Sequence, residues 1–344
     1  MESASTILTP AEFSGLNHAF SLSGGKVIIC HVSPDGDAIG SSLSLLRVLR
    51  AMGHRDVRVV TPDMPPQSLG FLSGIREITV ASQHPETVRR LLSSAGVIFC
   101  LDFNEPRRVD RLEEALSGSK ALKVMIDHHL NPDPFADIIV SRPEVSSTCL
   151  LLYNVLVDLG LAGYIDMTVA ESLLTGMMTD TGAFSYNAKD PGIYRVVADL
   201  MERGADKDRL YKILFDTNKE STLRLHGYAL AEKMTIYPDH KASVIVLDSD
   251  ELQRFCYQRG DTEGLVNKPL SIPEVAYSVF MRQDEPEFIK VSMRSKGLFP
   301  VDKLCKEAFG GGGHLNAAGG EFYGTLDAAI AHLLEKMPEF DCYL

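Results

Sequence analysis

No two of the six cysteines in this chain are spaced as a CxxC pair. Cys30, Cys100, Cys149, Cys256, Cys305 and Cys342 lie far apart, most of them in apolar stretches such as KVIIC and VIFC. That spacing argues against zinc ligation or a disulfide frame, and it reads as small core residues in a reducing compartment. No apolar run approaches the roughly 20 residues that span a bilayer, so no membrane segment is expected. The N-terminus, MESASTILTPAEFSGLNHAF, has neither the basic start nor the continuous apolar core of a secretory signal. A cytoplasmic location is expected by default. Positive charge is scarce too: 34 Lys and Arg against 46 Asp and Glu leave a net charge of −12. Long nucleic acid is bound mostly by neutralising phosphates, so this balance argues against a duplex DNA binder. A small anionic substrate stays open, because bound cations would cancel a local excess of carboxylates.

What is present is an ordinary globular mixture, 45% hydrophobic and 23% charged, over 344 residues. That length exceeds what one core usually serves, so two domains are expected. KVIICHV at 26–32 reads as a buried strand, 38–52 as an amphipathic helix and DVRVV at 56–60 as a strand. ETVRRLLSSAG is helical and runs into the strand VIFCLD at 97–102. VDRLEEALSG is helical and runs into the strand LKVMID at 122–127, with a further strand at 136–141. This alternation predicts an α/β domain, a parallel sheet with helices on both faces. Helices are expected at about 147–160, 166–179 and 191–214.

The pattern then changes. Residues 216–235 read as a helical linker between an N-terminal domain at 1–215 and a smaller mixed-sheet α/β domain at 236–344. MTIYPDHKASVIVLD reads as a hairpin, EVAYSVFMRQDEPEFIKVSMRS as two strands joined by a charged turn, and a last helix starts near Leu326. Between them lies the glycine-rich FGGGGHLNAAGGEF at 309–322. A cleft is expected between the two domains.

In open parallel sheets, ligands bind beyond the carboxyl ends of the strands. The first strand ends at His31 and enters HVSPDGDAIGSS. The third ends at Asp102, and the fourth at Asp127, His128 and His129. Asp180, in MMTDTGAFSYN, follows a hydrophobic helix that can fold back to the same rim. Each residue alone has an ordinary explanation, since Asp35 and Asp37 can cap a helix and a lone His is more often structural. Together, His31, Asp35, Asp37, Asp102, His128 and Asp180 offer oxygen and nitrogen donors without a thiolate. That set suits Mn²⁺ or Mg²⁺ better than structural zinc. Six donors point to two cations, which about 3.5–4 Å apart can clamp the attacking and leaving oxygens of a phosphoryl displacement. Asp102, from a middle strand, is the natural bridge.

The motifs HVSPDGDAIGSS, LDF at 101–103, DHH at 127–129, TDTG at 179–182 and GGGGHLNAAGG at 310–320 resemble those of the DHH/DHHA1 phosphoesterases, in order and spacing over nearly the whole chain. The compact two-domain length resembles the nano-RNase subgroup. The resemblance implies one cation on His31, Asp35 and Asp102, and another on Asp37, Asp102, His128 and Asp180, with Mn²⁺ first and Mg²⁺ second. It implies that Asp127 orients a histidine and that His129 faces the substrate phosphate or leaving group. Arg294 and His314, with Gly311, Gly312 and Gly313, would grip the substrate. Ser146, Ser147 and Thr148 are read as a helix cap. Arg107 and Arg108 are open between phosphate contact and plain surface.

The implied activity is hydrolysis of short single-stranded RNA, about two to five nucleotides long, to 5′-mononucleotides. Removal of the 3′-phosphate from 3′-phosphoadenosine 5′-phosphate goes with it, since both reactions break an ester beside a ribose 3′ oxygen. Alternatives are cleavage of the linear dinucleotide pApA in cyclic-dinucleotide turnover, and a non-catalytic nucleotide sensor. A homodimer is compatible with a mixed sheet that ends in an edge strand.

Overall fold

A computed structural model of the chain describes residues 6–344. It resolves into two compact units that divide between Thr217 and Asn218.

In the first unit, α1 (Pro10–Ser21) precedes β1 (Lys26–Ile29), α2 (Gly36–Ala51), β2 (Val57–Thr61) and β3 (Thr79–Val80). Then come α3 (Pro85–Ser94), β4 (Val97–Leu101), α4 (Glu113–Ser117), β5 (Leu122–Asp127) and β6 (Ile138–Ser141). Four helices follow: α5 (Thr148–Asp158), α6 (Met167–Asp180), α7 (Pro191–Glu202) and α8 (Lys207–Phe215). The strands form one parallel sheet in the order β3-β2-β1-β4-β5-β6. Alternate side chains serve opposite faces. Ile28, Phe99, Leu101, Val124 and Ile126 join a core with α1, α2, α5 and α6. Val27, Ile29, Ile98, Cys100 and Met125 join a second core with α3 and α4, through Val88, Leu92 and Leu116. The expected alternation and two-sided cover are therefore present. Boundaries differ where one apolar run hides a break: 191–214 divides into α7 and α8 around Gly204, whose φ is +103°. Residues 106–112 form a 3₁₀ stretch kinked at Asp110 before α4 begins.

Strand order reverses between β1 and β4, so the crevice beyond their carboxyl ends is the sheet's switch point. Helices α2 and α6 meet above it at small residues. A Cβ on Gly40 would lie 2.4 Å from the Ser172 carbonyl, and one on Gly176 would lie 2.3 Å from Cys149 Sγ. Only glycine allows this approach.

In the second unit, α9 (Glu220–Glu232) leads to β7 (Met234–Tyr237), β8 (Ala242–Leu247), α10 (Ser249–Arg254), β9 (Tyr277–Glu285) and β10 (Phe288–Ser295). It ends with α11 (Val301–Phe309), β11 (Gly312–His314), β12 (Ala317–Tyr323) and α12 (Leu326–Phe340). The mixed sheet runs β11-β12-β10-β9-β8-β7, and β8–β9 is its parallel pair. One face packs Val279, Met281, Val291 and Met293 under α11 and α12. The other buries Ile245, Leu247 and Phe280 against Leu225 and Ala229 of α9. The residues expected to connect the domains thus build the second unit's core. Cys30, Cys100, Cys149 and Cys305 are buried free thiols, while Cys256 and Cys342 are exposed, which corrects the uniform core reading. Among the described residues no helix is long and apolar enough to cross a membrane.

Candidate metal centre

The short β1 releases the chain at Cys30, and His31 follows at the rim. Asp35 caps α2, its Oδ1 accepting from the amides of Asp37 and Ala38 at 3.0 and 3.1 Å. Asp37 lies in the first turn of that helix, fully buried. Asp102 leaves β4 with φ +64°, a left-handed backbone that costs energy for a residue with a Cβ. Its amide still bonds the Ile126 carbonyl at 3.2 Å, which ties the turn to β5. Asp127 ends β5, with His128 and His129 directly after it, and Asp180 closes α6.

These segments converge. His31 Nε2 lies 3.4 Å from Asp102 Oδ2 and 3.9 Å from Asp35 Oδ1. His128 Nε2 lies 3.1 Å from Asp180 Oδ2, 3.7 Å from Asp102 Oδ1 and 3.9 Å from Asp37 Oδ2. Two groups, His31–Asp35–Asp102 and Asp37–His128–Asp180, each present donor atoms within 4.8 Å of one another, and Asp102 also stands in a third with His128 and His129.

The histidines' other nitrogens are committed. His31 Nδ1 lies 2.8 Å from the Val32 carbonyl, and His128 Nδ1 lies 3.1 Å from the Val145 carbonyl. A carbonyl only accepts, so each Nδ1 carries the proton and each Nε2 turns a lone pair toward carboxylate oxygens. Acceptor facing acceptor at these distances requires a proton or a cation between them. Without cations, protons fill the role. Burial alone would lower His31, but the hydrogen bond and charge of Asp102, with Asp35, raise it to about 9. Burial is likewise outweighed at His128, which Asp180, Asp102 and Asp37 raise to about 10. Burial and the neighbouring charges of Asp102 and Asp180 push Asp37 well up. Burial raises Asp180 to about 6, against the pull of His128. Asp102 moves the other way: burial is overcome by the hydrogen bond and charge of His31, and it sits below the usual carboxylate range. Hard oxygen and imidazole donors that need positive charge fit a pair of divalent cations.

The supports come from α5, and sequence reasoning missed them. Thr148 N–H and Cys149 N–H donate to the two oxygens of Asp37 at 2.5 and 2.8 Å, an anion on a helix N-terminus. Thr148 Oγ1 donates to Asp102 Oδ1 at 2.9 Å. The expected cap is Ser147, whose Oγ accepts from the Leu150 amide. Only the Ser-Ser-Thr run before an apolar helix signalled anything, and it does not tell which carboxylate lies opposite. Asp127 is fully buried and accepts from both the backbone and the Nδ1 of His129, at 2.9 and 2.7 Å. Arg107 is exposed and paired with Glu105.

In the second unit, His314, Ala317, Arg294 and Ser278 occupy one rung across β11, β12, β10 and β9. Opposed residues share a face, so Arg294 and His314 flank the small Ala317, with strands spaced about 4.8 Å apart. The glycine run is partly structural. Gly310 ends α11 with φ +60°, and the Gly311 amide donates to the Cys305 carbonyl. A Cβ on Gly311 or Gly313 would strike the backbone of β12 at 2.0 or 2.2 Å, whereas Gly312 is open.

Carboxylates and imidazoles gathered at the switch point of a parallel sheet, with a separate mixed-sheet unit behind them in the chain, are the layout of a divalent-metal phosphoesterase. Comparison with known proteins narrows this. The profile of the DHH family, N-terminal domain, matches residues 26–178, and that of the DHHA1 domain matches 243–340. The bifunctional oligoribonuclease and PAP phosphatase NrnA of Thermus thermophilus is 31% identical over 313 residues, covering 91% of this chain and 89% of that protein. The cyclic-di-AMP phosphodiesterase GdpP of Bacillus subtilis is 26% identical, but this chain spans 48% of it. The crystal structure of an exopolyphosphatase-related protein from Bacteroides fragilis superposes with a TM-score of 0.96 at 40% identity over 99% of both chains. The chain belongs to the DHH/DHHA1 phosphoesterase family.

Proposed function

We propose that this protein binds two divalent cations, Mn²⁺ first, and hydrolyses oligoribonucleotides of about two to five nucleotides to 5′-mononucleotides. Removal of the 3′-phosphate from 3′-phosphoadenosine 5′-phosphate is its second reaction. The reading rests on one observation above all: donors from four separate segments meet at the switch point, with Nε2 lone pairs turned toward carboxylates. The Thermus relative, named for both activities, matches nearly end to end and supports the substrate choice.

His31, Asp35 and Asp102 hold one cation, and Asp37, Asp102, His128 and Asp180 the other. Bound there, the cations supply Lewis acidity and an activated water. The chain's own residues do the rest. Asp37 and Asp102 are fixed by α5, so the ligands are preorganised before substrate arrives. Asp127 holds His129 through Nδ1, which leaves Nε2 to hold or move a proton at the substrate oxygens. Arg294 offers a planar fork to a phosphate. The net charge of −12 favours short substrates, whose few phosphates the cations and one guanidinium can neutralise.

The test is turnover of mono-, di- and pentaribonucleotides and of the bisphosphate by chelator-stripped protein with Mn²⁺ or Mg²⁺ restored. Metal-dependent cleavage of the dinucleotide and pentanucleotide is expected. A preference for long single strands, or binding of a dinucleotide that stays intact with either metal, overturns the proposal.

A further inference from the structure

The segment after Asp180 is built more rigidly than a connecting loop requires. Gly182, Ala183 and Phe184 take φ values of +53°, +55° and +69° in succession. Two of the three carry a Cβ, so the left-handed path is disfavoured and must be held. Thr181 holds it. Its carbonyl accepts from the amides of Ser185 and Tyr186 at 2.9 and 3.1 Å. Its buried hydroxyl donates to the Met177 carbonyl and accepts from the Phe184 amide. The Ala183 amide bonds the Met178 carbonyl at 2.8 Å.

What this turn presents is aromatic. The Tyr186 ring lies against the backbone of Gly182, where a Cβ would come within 2.4 Å of its Cε1. That places the ring two residues from Asp180, whose carboxylate pairs with His128. Tyr186 is nevertheless 55% exposed. Phe184 packs its ring 6.1 Å from Tyr194, itself 50% exposed. Single exposed aromatics are ordinary. A tyrosine fixed on a strained turn at the rim of the centre is not accounted for by packing.

We propose that Tyr186 is a stacking platform for a substrate nucleobase, a positioning role that rests on the phosphoesterase reading above and narrows it to base-bearing esters. Every base has a π face, so stacking of this kind tolerates sequence while favouring a nucleotide over a bare sugar phosphate. The strained turn sets the ring before binding, so little ordering is required of the protein.

The test uses the full chain with Mn²⁺ and two probes that share a phosphate and ribose, adenosine 5′-monophosphate and ribose 5-phosphate. Calorimetry should show the nucleotide bound about 10- to 100-fold more tightly by the wild type. Tyr186→Ala should remove most of that ratio, and Tyr186→Phe, which keeps the π face, should retain it. The preference of hydrolysis for a dinucleotide over the same compound with an abasic residue should fall in parallel. A Tyr186→Ala protein with the full wild-type ratio overturns the platform, as does a wild type with no preference for the nucleotide. A wild type that keeps the binding preference yet leaves dinucleotides intact would instead overturn the proposed activity.

Discussion

Thr148 offers the most discriminating perturbation, because its hydroxyl touches a proposed ligand without being one. It is fully buried and donates to Asp102 at 2.9 Å, and Asp102 is the carboxylate proposed to serve both cations. A hydrogen bond to a charged group is worth about 1.5–3 kcal/mol. At about 1.4 kcal/mol per tenfold, its loss corresponds to about 10- to 100-fold in cation affinity. Thr148→Val keeps the β-branch and volume, and the backbone N–H that holds Asp37 is untouched. Thr148→Ser restores a hydroxyl. Calorimetric titration of Mn²⁺ into chelator-stripped protein should therefore show weaker binding by that factor in the valine variant and near wild-type binding in the serine variant. Circular dichroism should report the same fold in all three. Wild-type affinity in Thr148→Val, alongside a large loss in Asp102→Ala, would refute the claim that this hydroxyl orients the bridge.

Asp102→Ala should abolish hydrolysis and lower bound metal, measured by elemental analysis; near wild-type turnover would sink the ligand assignment. Arg294→Ala should raise KM about 10- to 100-fold while leaving metal content unchanged, the cost of a charge-assisted contact to phosphate; loss of metal would contradict the division of labour. The pH dependence follows from His31 and His128, whose folded values of about 9 and about 10 exceed the unfolded 6.5. Stabilisation from such a shift is complete below about pH 6.5 and is lost as pH rises through the folded values. Melting of the metal-free protein should accordingly fall between about pH 6.5 and 9, less steeply in His128→Gln, while the rise produced by Mn²⁺ grows with pH; a flat metal-free profile in the wild type refutes this. Gly176→Ala should lower the melting temperature by several degrees, because its Cβ meets Cys149 Sγ and Asp37 where α2, α5 and α6 join.

Much of the architecture was legible because it is written in periodicity. The runs KVIIC, VIFCL and LKVMID are strands buried on both faces, and the amphipathic segments between them are helices. Breaks inside apolar stretches were harder. Residues 191–214 keep a helical period across Gly204, so the division into α7 and α8 rests on one left-handed glycine. The segment β11–β12 is rich in glycine and alanine and has too little apolar alternation to read as strands.

The sequence by itself determined the chemistry on offer: hard oxygen and imidazole donors, no paired thiols, and strand ends that deliver His31, Asp102 and His128 to one rim. Local periodicity and side-chain type fix those, and both are properties of short stretches of chain. Only the tertiary structure decided that the amides and hydroxyl at the start of α5 grip Asp37 and Asp102, and that Gly40 and Gly176 let α2 and α6 close over the switch point. Those contacts join residues more than a hundred positions apart for Asp37 and Thr148, and 46 apart for Asp102 and Thr148. Which distant groups meet is set by how sheet and helices pack, and no local pattern encodes it.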